Sequence, residues 1–300
     1  MRPLAFSAPG RFYRGNLHSH STMSDGNLTP EQICNLYRAE GYDFLALTYH
    51  FMERYNFPIT DTLPYRTDSF TTLLGAELHT GCTELGNLWH ILAVGLPADF
   101  APYAEGETGG EVAKRALESG AFVAAAHPAW YGLTEGDIRS LGNIHAIEIF
   151  NGTASDDNDK PNSVYLLDLM LMRGCAYNAC ATDDTHCNPN RNDVGRGWVL
   201  VKSENLEPLA LLSALKAGAY YSSTGPQIHD IEINDEQIRV ACSPASRVFV
   251  TGHKATKAYA SGNGLREAVI DLKPLGDSPF LRITVRDDKG GRAWANPIWR

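Results

Sequence analysis

The chain contains a series of short apolar runs, each carrying at or near its end a side chain that can ligate a metal. Two ligand-type histidines that share one face of a strand can reach one point in space, because side chains at i and i+2 point the same way. Six of the ten histidines fall in this series. Its members are His18 and His20 in GNLHSH, His50 in DFLALTYH, Glu77 in LLGAELH, His90 in LWHILAVG, His127 in FVAAAHP, and Asp183 and His186 in CATDDTH. The pattern predicts a metal site where several strand ends meet.

Helical segments alternate with these apolar runs. The segment LTPEQICNLYRAEGY carries a capping box at Thr29 and Gln32, and Thr108 with Glu111 begins a second capped helix. Strands that alternate with helices, with functional residues at strand carboxyl ends, are typical of a (β/α) barrel. Residues 51–69 have no clear period and predict a long loop in the position where α/β enzymes hold substrate contacts.

The period changes after STGPQ (residues 223–227). The following segments, from HDIEIND to FLRITVRD, alternate apolar and polar residues between short turns. We therefore expect two domains, a metallohydrolase barrel over residues 1–224 and a small all-β C-terminal domain over residues 225–300.

Composition excludes several classes of protein. The net charge is −9 and no block of Lys or Arg occurs, so a nucleic-acid surface is not expected. The six cysteines form no CxxC pair and predict free thiols in a reducing compartment. No apolar run suits a signal peptide or a membrane helix, so we expect a cytoplasmic protein that does not bind a membrane.

Six motifs together resemble the PHP (polymerase and histidinol phosphatase) superfamily over about residues 14–190. They are HSHSTMSDG, LTYH, GAELH, WHILAVGL, AHP and TDDTH, in the family's order and roughly in its spacing. The resemblance implies a distorted (β/α)7-type barrel. Only 36 residues lie between His90 and His127, and the β-rich tail ends in GRAWANPIW. This layout is most similar to the short-barrel branch that includes a carbaryl hydrolase.

The same resemblance implies a trinuclear centre of two to three divalent ions, with Zn, Mn or Fe suited to imidazole ligands. Glu77 would bridge the first two ions, and Asp25, Glu77 and His186 would act in catalysis. The implied ligands are His18, His20, Glu77 and Asp183 for the first ion, Glu77, His90 and His127 for the second, and Asp25, His50 and His186 for the third.

Two positions depart from common family patterns. The histidinol-phosphatase branch typically has histidine where this chain has Asp25, whereas nucleotide-acting branches carry an SDG like this one. The family also commonly has aspartate before the histidine that is here His50, and this chain has Tyr49. We expect Glu148 and His79 to support the ligands rather than to ligate directly.

The function that the resemblance implies is a metal-dependent phosphoesterase in which a metal-bound hydroxide attacks a small phosphorylated substrate. Among the arginines, Arg191 follows His186 closely and is the favoured phosphate contact, because guanidinium matches phosphate bidentately. The alternative is a hydrolase of carboxyl esters, carbamate esters or amides that uses the same metals. The sequence does not indicate an oligomeric state.

Overall fold

The computed structural model describes residues 3–300, and its strands account for most of the expected apolar runs. The strands are β1 Arg11–Asn16, β2 Phe44–Leu47, β3 His50–Phe51, β4 Thr71–Leu78, β5 Ile91–Val94, β6 Phe122–Ala125, β7 Ala146–Asn151, β8 Asn178–Thr182, β9 Trp198–Ser203, β10 Tyr220–Ser223, β11 Ile228–Ile233, β12 Gln237–Thr251, β13 Lys257–Asp271, β14 Phe280–Arg286, β15 Arg292–Ala295 and β16 Ile298–Trp299.

The helices are α1 Leu4–Ser7, α2 Pro30–Ala39, α3 Gly109–Glu118, α4 Pro128–Tyr131, α5 Glu135–Ser140, α6 Gly152–Asp157, α7 Val164–Met172 and α8 Pro208–Lys216. Short 3₁₀ turns occur at Glu53–Tyr55, Leu63–Tyr65 and Lys273–Leu275. The capping boxes predicted for α2 and α3 are both present, with Thr29 paired to Gln32 and Thr108 paired to Glu111. The loop expected over residues 51–69 contains the first two 3₁₀ turns. No helix within residues 3–300 is long and apolar enough to cross a membrane.

The fold is mixed α/β, as expected, and is built on one large sheet with the strand order β11-β12-β14-β15-β10-β9-β1-β2-β4-β5-β6-β7-β8. Strands β1, β2 and β4 are parallel neighbours, as are β6, β7 and β8. Strand β5 lies between these two groups and runs antiparallel to both β4 and β6. Its amino end therefore meets the carboxyl ends of its neighbours.

The hydrogen-bonded path of the sheet does not close into a complete barrel. Within the described residues, β8 and β1 are not paired as strands. Beyond the ends of these strands, Ser19 and Thr185 form an isolated parallel bridge, and His20 N donates to Thr185 O over 2.8 Å. The terminal strand β8 thus approaches the interior strand β1 just where both strands deliver their polar side chains.

The strands after residue 225 continue the same sheet, because β15 pairs with β10 through the register Tyr221 with Ala295. The two apolar–polar runs QIRVACS and RVFVTG form the single long strand β12, whose pairing with β13 shifts register near Ala245. These strands pack around a hydrophobic cluster that includes Ile231, Val240 and Ile283.

Two further hydrophobic clusters separate the faces of the sheet in the first half of the chain. Leu92 and Ala124 belong to the cluster that contains the α8 leucines. Their strand neighbours Ile91 and Val123 belong to the cluster that contains α3 and α7 residues. Because both faces are buried, these strands are apolar throughout, and the phase of their alternation cannot be read from hydrophobicity.

Candidate metal centre

Polar side chains gather at the edge where the carboxyl ends of β1, β4, β6 and β8 meet the amino end of β5. His18 and His20 follow β1, His127 follows β6, and His90 directly precedes β5. Residue His50 lies in β3 and pairs with Glu77 across the parallel register of β3 and β4. The antiparallel direction of β5 explains why a histidine before a strand reaches the same edge as histidines after strands.

The carboxylate of Glu77 is fully buried at the centre of six imidazoles. Its Oε1 lies 2.7 Å from His90 Nδ1 and 2.9 Å from His127 Nε2. The same Oε1 lies 3.6 Å from His18 Nε2. The other oxygen, Oε2, lies 2.6 Å from His50 Nδ1, 3.4 Å from His79 Nε2 and 3.7 Å from His20 Nε2. One carboxylate with imidazoles on both oxygens is the arrangement that a bridging ligand requires.

On the inner side, Asp184 completes the group around His18. Its Oδ1 lies 3.2 Å from His18 Nε2 and 3.0 Å from His20 Nε2, and its Oδ2 lies 4.0 Å from His127 Nε2. The Nδ1 of His18 lies 2.9 Å from Glu148 Oε1. Since an ionised carboxylate only accepts, the Nδ1 of His18 carries a hydrogen, and Nε2 is the nitrogen left to bind a cation beside Asp184 and Glu77.

Glu148 supports this site without facing it as a ligand. Its Oε1 also accepts from Thr182 Oγ1 over 2.5 Å, and its Oε2 accepts from His127 N over 2.5 Å and from Asn151 Nδ2 over 3.0 Å. Both oxygens are therefore committed to holding His18 and the backbone of His127.

On the outer side, Asp25 faces three imidazoles. Its Oδ2 lies 3.1 Å from His50 Nε2, and its Oδ1 lies 3.4 Å from His186 Nε2 and 3.6 Å from His20 Nδ1. The turn that returns Asp25 to the site depends on Gly26, because a Cβ there would lie 2.6 Å from the backbone of His20 and Ser21. This close approach is why glycine follows the aspartate.

The prediction named Asp183 as a ligand, and the structure places the neighbouring Asp184, not Asp183, in the cluster. The Oδ1 of Asp183 accepts from Arg196 N and Gly197 N over 2.6 and 2.8 Å. Its Oδ2 accepts from Tyr37 Oη and Gly195 N over 2.6 and 2.9 Å. The buried carboxylate of Asp183 thus pins the loop before β9 instead of reaching the metal side.

The other eight predicted ligands all lie in the cluster. They form overlapping groups in which each side chain offers one atom: His20, Asp25, His50 and His186; His50, Glu77, His79 and His90; His18, His127 and Asp184; and His18, His20 and Glu77. His79, expected only as support, lies in the second group.

Two residues whose side chains form part of the site have left-handed backbone conformations. The φ angle is 27° at His127 and 52° at Asp184. Such angles cost a non-glycine residue about 1–3 kcal/mol and concentrate at functional sites. They are held by local hydrogen bonds, from His127 N to Glu148 and from Thr153 Oγ1 to the Asp184 carbonyl over 2.6 Å.

The mutual proximity of these groups shifts their pKa values in opposite directions. Burial and the neighbouring His186 and His50 lower the pKa of His20 to about 3. Burial alone would lower that of His50, but the carboxylates of Glu77 and Asp25 raise its pKa to about 10. Burial opposes ionisation of Glu77, yet the surrounding histidines hold its pKa well below the usual value. Without metal, protons on selected imidazoles balance the carboxylates.

The donor set fits divalent cations. The Nε2 of His18 and the Oε2 of Glu77 are buried without a hydrogen-bond partner among the described residues. Buried polar atoms are almost always paired, so two such acceptors aimed at a shared space indicate that a cation belongs there. Mixed imidazole and carboxylate ligands suit Zn, Mn and Fe.

The cluster forms the floor of a cavity of about 610 Å³. Arg191 lines this cavity and forms an ion pair with Asp157. Arg54 also lines it, and its guanidinium stacks over Tyr55 at 4.6 Å without an ion pair to any residue in 3–300. One wall is apolar and consists of Met52, Leu88, Trp130 and Tyr131.

The protein is thus a mixed α/β protein with a candidate polynuclear metal centre. Comparison with solved structures finds proteins with a similar fold. A two-domain protein from Bacteroides vulgatus, described as containing a predicted PHP-like metal-dependent phosphoesterase, matches with a TM-score of 0.54 and 14% identity, over 97% of this chain and 98% of that one. The resemblance to PHP proteins is therefore confirmed at the level of the fold.

Two other solved structures match with lower scores. A protein from Bifidobacterium adolescentis, described as a candidate metal-dependent phosphoesterase, has a TM-score of 0.44 and 14% identity over 64% of this chain and 91% of that one. An amidohydrolase from Chromobacterium violaceum, with sulfate and no metal, has a TM-score of 0.41 and 16% identity over 57% of this chain and 87% of that one. Scores this low add no argument. No protein-family model and no curated protein matches the chain.

Proposed function

We propose that this protein is a metal-dependent phosphoesterase that hydrolyses a small phosphorylated substrate at a trinuclear centre. The observation that carries the proposal is the buried Glu77 carboxylate, surrounded by six imidazoles at the floor of a cavity, with Asp184 on one side and Asp25 on the other. Glu77 has two oxygens directed at different histidine groups, which suits it to hold two ions at a fixed separation.

Charge favours an anionic substrate. Three divalent ions beside the carboxylates of Asp25, Glu77 and Asp184 would leave about three positive charges in the site. Such ions lower the pKa of a coordinated water to roughly 7 and neutralise charge on phosphoryl oxygens. The chain's own task is to hold those ions. We assign His18, His20, Glu77 and Asp184 to the first, Glu77, His90 and His127 to the second, and Asp25, His50 and His186 to the third.

Two arginines can contact the substrate outside the metal cluster. We propose that Arg191 orients the phosphoryl group, with Asp157 fixing the guanidinium in place. Arg54 has no ion-pair partner among the described residues, so no neighbouring carboxylate offsets its positive charge. Asp25 and His186 line the same cavity as these arginines, and we propose that they hold the ion nearest the entering substrate.

The apolar wall of the cavity favours keeping one alternative, a hydrolase of carboxyl esters, carbamate esters or amides. Trp130, Tyr131, Leu88 and Met52 can accept an aromatic or alkyl leaving group, and such a group occurs in uncharged aryl esters as well as in aryl phosphates. The arginines and the cationic site have no counterpart in an uncharged ester, so the phosphoesterase remains our proposal.

We further propose that residues 1–224 form the catalytic unit, a distorted (β/α)7-type barrel, and that residues 225–300 form a small accessory β domain. All the candidate ligands precede residue 187, which supports this division. The separate hydrophobic cluster around Ile231 and Val240 supports it further.

The test is elemental analysis of purified protein together with a substrate screen. We expect two to three transition ions per chain, and turnover of at least one phosphomonoester or phosphodiester. The screen pairs each aryl phosphate with the carboxyl ester and the carbamate of the same phenol, so that only the reacting group differs. Faster turnover of the uncharged members, without inhibition by inorganic phosphate, would contradict the proposal.

A further inference from the structure

The imidazole of His50 must present a lone pair if it is to bind a metal beside Asp25. Its Nε2 lies 3.1 Å from Asp25 Oδ2, and both atoms are acceptors when the imidazole is neutral and the carboxylate ionised. Two acceptors at this separation need a proton or a cation between them. A ligating histidine usually fixes this orientation by donating its other N–H to a nearby acceptor.

The residue before His50 does not supply that acceptor. Tyr49 is fully buried among Ile33, Leu47 and Phe70, in a hydrophobic cluster away from the cavity. Tyr49 and His50 are adjacent in an extended segment, so their side chains point to opposite faces. The acceptor for His50 therefore has to come from another strand.

His79 provides it. The Nδ1 of His79 lies 3.0 Å from the carbonyl oxygen of Trp89, which can only accept. That contact places the hydrogen of His79 on Nδ1 and leaves a lone pair on Nε2. The Nε2 lies 2.8 Å from His50 Nδ1. The hydrogen bond then runs from His50 Nδ1–H to His79 Nε2, and the lone pair of His50 is on Nε2, facing Asp25.

Glu77 is the competing acceptor for the same hydrogen. Its Oε2 is only 2.6 Å from His50 Nδ1, yet this oxygen is left without a hydrogen-bond partner among the described residues. The N–H of His50 Nδ1 therefore points at His79 Nε2, and Glu77 Oε2 is left free for a cation. His79 and His50 are both buried where they make this contact.

We propose that His79 is a positioning residue that orients His50 for the third metal ion. This inference rests on the proposed trinuclear function. The chain of contacts runs from the Trp89 carbonyl through His79 to His50 and the ion site shared with Asp25 and His186. His79 accepts the hydrogen bond from His50 that Tyr49 cannot accept.

The test compares Mn²⁺ binding by three variants, measured by equilibrium dialysis of the full chain. His79→Phe keeps ring size without an acceptor, and His79→Asn can still donate to Trp89 but is too short to reach His50. We expect both variants to weaken the binding of one Mn²⁺ ion by ~10–100-fold, which is the usual effect of losing a supporting partner. The affinities for the other ions should be unchanged. His79→Gln places an oxygen near the Nε2 position and should retain most of the affinity.

Two controls separate positioning from other roles. His145 precedes β7, where its Nδ1 accepts from Val123 N, and His145→Phe should leave every Mn²⁺ affinity unchanged. In the background of His50→Ala, which already removes the ligand, adding His79→Phe should produce no further loss of Mn²⁺ binding.

Three results would overturn the inference. Unchanged Mn²⁺ binding in both His79→Phe and His79→Asn would show that His50 needs no such acceptor. A further loss in the His50→Ala background would show that His79 ligates an ion itself. Wild-type protein that binds no Mn²⁺ would overturn the proposed function as well, whereas the first two results leave that function standing.

Discussion

Isosteric substitution of two adjacent aspartates should separate metal binding from folding. Asp184→Asn removes an anionic ligand that faces His18 and His20, and it should weaken metal binding by roughly 100-fold or more, beyond the 10–100-fold typical of a supporting partner. Asp183→Asn should leave metal affinity near the wild-type value in protein that is still folded, because that carboxylate faces the loop before β9.

The effect on stability should be the reverse. In Asp183→Asn, either orientation of the amide directs its NH₂ group at a backbone N–H, because Gly195 donates to one oxygen and Arg196 and Gly197 to the other. A buried donor left unpaired costs about 1–3 kcal/mol, and the remaining bonds lose their charge assistance. We therefore expect a loss of roughly 2–4 kcal/mol, equivalent to about 4–8 °C in Tm for a protein of this size.

Asp184→Asn should change the Tm of metal-free protein by no more than about 2 °C, about 1 kcal/mol. The carboxylate of Asp184 raises the pKa of the buried His18, so its loss lets that imidazole release its proton instead of leaving a buried charge unpaired. Thermal unfolding of chelator-treated protein and Mn²⁺ dialysis are the assays. Normal metal affinity in Asp184→Asn, or a larger fall of Tm there than in Asp183→Asn, would refute the reasoning.

Three further predictions concern the same cavity. Glu77→Gln should release at least two ions in elemental analysis, because this carboxylate contacts all six imidazoles, and full metal content in that variant would contradict the bridging role. Activity should fall on the acid side and recover with added Mn²⁺. The carboxylates raise the pKa of His50 to about 10 in metal-free protein, so metal must displace a proton there and binds more tightly as pH rises; an acid limb indifferent to metal would contradict this. Arg54→Ala and Arg191→Ala should each lower kcat/KM for phosphate esters by ~10²-fold or more and leave uncharged aryl esters unchanged, measured on matched substrates.

The parts of the fold that depend on local chemistry could be predicted from the sequence. The caps at Thr29 and Thr108 are satisfied within four residues, and the histidines of the motif series are placed by the strands that precede or follow them. These signals depend on residues close in sequence and not on contacts with distant parts of the chain. The sequence therefore located the edge of the sheet at which the site lies.

The choice between Asp183 and Asp184 could not be made by the same means. Strand β8 is buried on both faces, so NACAT carries no polar alternation that would set the phase. The phase is set by tertiary contacts, with Thr182 Oγ1 directed at Glu148 and Asp184 two residues beyond it on the same side. The left-handed backbone at Asp184, held by Thr153, is likewise invisible in sequence.

The relation of the C-terminal strands to the strands of the first 224 residues also depends on long-range pairing. A period of two identifies each strand but not its partner, and the pairing of β15 with β10 joins residues 70 to 74 positions apart. The connection between His79 and His50 has the same origin, since it needs the register of β3 with β4 and a carbonyl group before β5.

The most direct test of the metal centre is an anomalous difference map from crystals grown with Mn²⁺. Our account predicts peaks on both sides of the Glu77 carboxylate, one of them also within coordination distance of Asp184, and a third peak between Asp25, His50 and His186. A map with no peak at Glu77, or with an ion bound through Asp183 instead of Asp184, would contradict it.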